Sequence, residues 1–112
     1  MERQETEQLC REAYTRGMLK DREREIRQRT LKKAEVITRS MKPGEKEAYL
    51  ESRAFQNALN QTRKKDRVYQ AFARGEVPED YEAEYRRLEP LIAAELKAGH
   101  PADLAFLKSV LR

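Results

Sequence analysis

The chain has 112 residues, of which 38% are hydrophobic and 39% charged, with no Trp. That is a thin supply of core for a chain that must offset roughly 1–2 kcal/mol of backbone entropy per residue. Four Gly and four Pro are too few for an all-β protein with many tight turns or for a low-complexity linker. One cysteine, Cys10, excludes an internal disulfide and fits a reducing compartment, so a cytoplasmic location is expected. The opening residues carry no apolar signal region, and no apolar run approaches the roughly 20 residues needed to span a bilayer.

Charge is divided unevenly. Residues 1–75 hold 19 of the 24 Lys and Arg and 12 of the 20 Asp and Glu, a net of +7, whereas residues 76–112 carry a net of −3. This asymmetry points to a basic helical part that meets something anionic and a more apolar part that supplies the core. The expected fold is all-α, a single helical domain over 1–112 with three to five helices. Its parts are a basic, polar arm (1–42), a second helix with a basic face (43–75) and acidic-apolar C-terminal helices (76–112).

Residues 3–41 read as one long helix or two, the break falling near Gly17 with Asp21 able to cap a second segment. Five of the chain's six Glu-to-Arg pairs at i,i+4 lie here: Glu7–Arg11, Glu12–Arg16, Glu23–Arg27, Glu25–Arg29 and Glu35–Arg39. Each contributes about 0.2–0.5 kcal/mol to helix stability. Between Leu19 and Leu31 only Ile26 is apolar, so the stretch Lys20–Thr30 is expected to leave the core. A coiled coil fails at its seam, because with Leu19 and Ile26 at d positions the a positions are Glu23 and Thr30.

Pro43 suits the first turn of a second helix running from about Glu45 to Arg74, with Gly75 as its stop and Asn60-Gln61-Thr62 as a weak point. A third helix follows Pro78, with acids at the positive end of its dipole. Its stripe of Tyr81, Tyr85, Leu88, Ile92 and Leu96 is the cleanest helical pattern in the chain, and Pro90 falls on the opposite, solvent side. Gly99 ends it and Pro101 opens a last helix. Residues 81–112 hold 17 of the 43 apolar residues against 13 in the first 42, which places the core towards the C-terminus.

No cluster carries recognisable catalytic chemistry. His100, the single histidine, stands before Pro101 at a helix start, where it fills a turn, and no local motif joins it to Cys10. The acids Glu79, Asp80, Glu82 and Glu84 fit helix-start electrostatics rather than a metal site. The four glycines, Gly17, Gly44, Gly75 and Gly99, are too scattered for a phosphate loop. Neither an enzyme, a cofactor nor a metal is expected. The basic stretches have too little apolar area for a membrane-surface helix.

Two binding readings remain. In the first, the chain is a non-enzymatic, regulatory helical protein, an adaptor, inhibitor or assembly factor on a protein or nucleoprotein partner. Leu19, Ile26, Leu31 and Ile37 of the arm would make the contact, unless they pack on the chain's own core. In the second, it binds DNA or RNA directly. On a continuous second helix Arg63, Lys64, Arg67, Arg74 and Arg53 fall within roughly 100° of one another, a mostly basic face that matches a phosphate backbone. Lys65 breaks the pattern on the far side.

Overall fold

The computed structural model describes residues 3–111. Among them the chain is all-α: α1 (Arg3–Thr38), α2 (Pro43–Leu50), α3 (Arg53–Lys65), α4 (Arg67–Ala73), α5 (Glu82–Lys97) and α6 (Leu104–Val110), with one 3-10 turn at Glu79–Tyr81. Six helices replace the expected three to five because the second helix is three. Ser52, extended at ψ 160°, accepts from the Phe55 amide and starts α3. Asp66, at ψ 104°, accepts from the Tyr69 amide at 2.8 Å and starts α4. Both are N-caps, in which a short polar side chain satisfies an amide that the helix leaves unpaired. The stops at Gly75 and Gly99 fall where expected: each has positive φ, and the next amide reaches back to Ala71 or Glu95 to close the helix end.

The chain divides into two compact units, one of Met1–Lys20 with Ala71–Arg112, the other of Asp21–Gln70. In the first, the expected stripe of α5 is the centre: Tyr85, Leu88 and Ile92 are fully buried. The same unit also buries Cys10, Tyr14 and Met18 of α1, Phe72 of α4, and Leu104 and Leu107 of α6. The Tyr14 ring lies 5.2 Å from Tyr85 and 6.1 Å from Phe72, in the tilted and edge-on geometries that aromatic pairs favour. Its hydroxyl donates to Glu84 at 2.9 Å. Pro90 is exposed and α5 continues through it.

Gly17 does not break α1. A Cβ there would stand 2.6 Å from Leu104 Cγ, so the glycine makes room for a buried leucine of α6 within this unit. Its role is close packing and not a bend.

The Asp21–Gln70 unit has its own core, built from Ile26 and Ala34 of α1 and Phe55 and Leu59 of α3, with Leu31, Tyr49, Leu50 and Tyr69 packed against it. Ile26, expected on a stretch projecting into solvent, is fully buried. The reason lies in the residues at its helical spacing. Ile26, Thr30, Ala34 and Thr38 share one face and are all buried. Thr30 donates to the Ile26 carbonyl at 2.8 Å and Thr38 to that of Ala34 at 3.1 Å, so each hydroxyl is satisfied inside its own helix and the residue can be buried.

Two expectations follow. Leu88→Ala, Ile92→Ala and Ile26→Ala should each lower stability to urea by roughly 2–5 kcal/mol, since all three leave cavities in packed cores. Gly17→Ala should destabilise by about 1–3 kcal/mol through overpacking against Leu104, although alanine is the better helix former by about 1 kcal/mol. A stabilised Gly17→Ala protein in thermal unfolding would contradict that packing.

Candidate functional site: a basic cleft

Within the Asp21–Gln70 unit, 14 of the chain's 24 Lys and Arg meet 8 of its 20 Asp and Glu, a net of +6. Most cations are not gathered at one place. A cleft of about 620 Å³, however, is lined by Arg22, Arg29, Lys33, Lys65 and Arg67 with Asp66 as its one acid. Its apolar lining is Ala34 and Ile37 of α1, Ala58 and Phe55 of α3, Tyr49 of α2 and Val68 of α4.

Asp66 organises this cleft. It is nearly buried, and its Oδ2 accepts from Arg22 Nε at 3.0 Å and from an Arg29 guanidinium nitrogen at 2.9 Å, while Oδ1 takes the Tyr69 amide. Burial works to raise its carboxyl pKa, but the bonds from Arg22, the Tyr69 amide and Arg29 outweigh burial and hold it below the usual carboxylate range. Two of the five cations are thereby anchored. Lys33, Lys65 and Arg67 are exposed and form no ion pair among the described residues.

The residues singled out from the sequence are spread widely. Of the apolar four, Ile26 and Leu31 serve the core of this unit, Leu19 is half-buried in the other, and Ile37 is 52% exposed at the cleft. Ile26 therefore offers no surface to a partner. The basic face of the second helix does not exist as one rod, because the extended backbone at Asp66 separates α3 from α4. Arg53 and Lys64 are exposed on α3, whereas the Arg63 guanidinium is engaged by both carboxylate oxygens of Glu23 and by Asn60 Oδ1 at 2.6 Å. Arg67 alone of the set lines the cleft, and Arg74 lies in the other unit, 3.2 Å from Glu76.

Sequence reasoning missed Arg22, Arg29, Lys33 and Lys65: Arg29 counts there only as the partner of Glu25, and Lys65 only as the residue off the basic face. One signal was present. Asp66 is the only acid between Glu51 and Glu76, set among six cations at N-cap spacing before an aromatic residue.

Elsewhere, Cys10 is buried with its thiol directed at the Glu89 carbonyl, and burial, then Glu89 and Glu7, push its pKa up, which suppresses the reactive thiolate. His100 is exposed, its Nδ1 3.2 Å from Glu95. Neither lines the cleft. Among the described residues, no group of three His, Cys, Asp or Glu is placed to hold a metal ion, and no helix is long and apolar enough to cross a membrane. No family model matches the chain, and neither a curated protein nor a solved structure matches it significantly.

Asp66→Asn should cost roughly 2 kcal/mol, through loss of a charged acceptor for two arginines and weakening of the α4 cap. Because the folded-state pKa is depressed, the ionised carboxylate stabilises the protein above its unfolded value near 4 and ceases to do so as pH falls through the folded value. Urea denaturation across the acid range should therefore show a shallower decline for Asp66→Asn than for the wild type. Parallel curves would mean that Asp66 is not held ionised by its arginines.

Proposed function

We propose that the chain is a small, non-enzymatic helical binding protein, an adaptor, inhibitor or assembly factor acting on a protein or nucleoprotein partner in the cytoplasm. The observation that carries this reading is the cleft of the Asp21–Gln70 unit, in which three uncommitted cations stand beside the exposed side chain of Ile37. A basic surface with an apolar neighbour suits a macromolecule that is both charged and apolar at the contact. Folding accounts for the other charges more economically. Glu23 holds Arg63, Asp66 holds Arg22 and Arg29, and in the other unit Arg86 meets Glu7, Glu82 and Glu89.

Direct DNA or RNA binding is the competing reading, and Arg53, Lys64 and Arg67 are its best remaining residues, being exposed. Its footprint is weaker than the sequence implied, since Arg63 and Arg74 are paired with acids.

Affinity isolation from native cells separates the two readings. Wild-type protein should retain a protein or nucleoprotein partner, and Ile37→Asp should lose it, with little change in folding because the side chain is already half in water. Retention of naked nucleic acid, seen as a raised ratio of absorbance at 260 to 280 nm and abolished by the triple change Arg53→Glu, Lys64→Glu and Arg67→Glu, would favour the competing reading. Retention of a partner unchanged by both sets of substitutions would remove the cleft from the account.

A further inference from the structure

We propose that the cleft of the Asp21–Gln70 unit receives an acidic peptide segment carrying aliphatic side chains, a proposal that rests on the binding function above and names the chemistry of the partner. The charge of the cleft is the first argument. Five cations line it against one acid, and that acid is already engaged by Arg22, Arg29 and the Tyr69 amide. Lys33 on α1, Lys65 at the end of α3 and Arg67 at the start of α4 thus bring positive charge to one concavity from three helices. None of the three has an ion-pair partner among the described residues. Carboxylates arriving there would meet cations that the fold does not use.

The apolar wall is the second argument. Ile37 is 52% exposed, and Ala34, Ala58 and Val68 line the same cleft. Anchoring an aliphatic side chain among them removes apolar area from water, worth roughly 25 cal/mol per Å² before the costs of ordering. Surrounding carboxylates would then select the register in which the anchor sits.

The same features disfavour nucleic acid in this cleft. Single strands bind through aromatic faces on which bases stack. The two aromatic residues that line this cleft, Tyr49 and Phe55, are engaged within the fold: Phe55 is fully buried with the Arg27 guanidinium 5.8 Å from its ring centre, and the half-buried Tyr49 is packed against it at 6.2 Å. Reading a duplex calls for a protruding element to enter a groove, whereas these cations line a concavity, its walls formed by aliphatic side chains together with Tyr49 and Phe55.

Fluorescence anisotropy on the full chain tests the proposal with defined probes: a fluorescein-labelled peptide alternating paired Glu with paired Leu, its Glu-to-Lys and Leu-to-Ser counterparts, and labelled single-stranded and duplex DNA. The Glu/Leu peptide should bind most tightly and weaken as salt is raised. Combining Lys33→Glu, Lys65→Glu and Arg67→Glu should weaken it at least about tenfold, since three exposed attractions become repulsions. Ile37→Ser and the Leu-to-Ser peptide should each weaken binding about threefold or more. Far-UV circular dichroism checks that the variants fold, and the milder set Lys33→Gln, Lys65→Gln and Arg67→Gln replaces the reversal if it does not. No binding of the Glu/Leu peptide, equal binding of the Lys/Leu peptide, indifference to both substitution sets, or tighter binding of either DNA would each overturn the proposal. Isolation of a protein partner that Ile37→Asp abolishes, with no binding of the Glu/Leu peptide, would leave the function standing and remove only this assignment.

Discussion

The carboxylate of Asp66 is the point on which the Asp21–Gln70 unit depends. One side chain ends α3 by adopting an extended backbone, starts α4 by accepting the Tyr69 amide, and ties both to α1 through Arg22 and Arg29. A nearly buried carboxylate carries a desolvation cost that a single surface partner would not offset. Two guanidinium groups and a backbone amide supply enough acceptor satisfaction to keep it ionised. Because it consumes the acid in the cleft, it also decides which cations stay available. The same bonds that complete the fold leave Lys33, Lys65 and Arg67 without a counter-charge.

Helix α1 shows how a chain with so few apolar residues builds two cores. Cys10, Tyr14 and Met18 serve one unit, while Ile26, Thr30, Ala34 and Thr38 serve the other, each set repeating at four-residue spacing. Threonine lets a helix bury a polar residue at little cost, because its hydroxyl returns to a carbonyl of the preceding turn. The charges of α1 reach other helices as well: Glu7 meets Arg86, Arg11 meets Glu82, Glu23 meets Arg63 and Arg29 meets Asp66. Side chains that at i,i+4 spacing would support an isolated helix are used here to hold one helix against another within each unit.

What was legible in the sequence follows from this. The all-α class, the start of α2 at Pro43, the stops at Gly75 and Gly99 and the buried stripe of α5 rest on local signals, namely periodicity and punctuation, and the structure places them there. Residue 17 was legible as a glycine but not as the place where Leu104 packs, since 87 positions separate the partners. The buried face at Ile26 was hidden because Thr30 and Thr38 count as polar in any hydrophobic pattern, although their methyl groups are not. Asp66 was hidden for the opposite reason. One acid among many cations changes a tally of charge by one, yet it breaks the helix on which the tally was projected.

Net charge alone therefore says little about where a basic protein offers its charge. Within one unit of +6, the arginines at 22, 29 and 63 have been drawn into ion pairs that close the fold, and those at 53 and 67, with the lysines at 33, 64 and 65, have not. The chemistry of the side chains accounts for part of that sorting. A guanidinium with several donors in one plane bonds a carboxylate at more than one point and tolerates partial burial, whereas an ammonium is more strongly hydrated and remains in water. Arg63 engages both oxygens of Glu23, and Arg22 binds Asp66 through two nitrogens. Lysine at either position would lose those second bonds. Conversely, Lys33 and Lys65 at the cleft retain mobile, hydrated charges that can adjust to carboxylates of varied spacing, and Arg67 beside them adds a planar donor set. Arginines tied to acids of the fold and unpaired cations lining a partly apolar cleft are what distinguish this surface from a helix that is merely solvated.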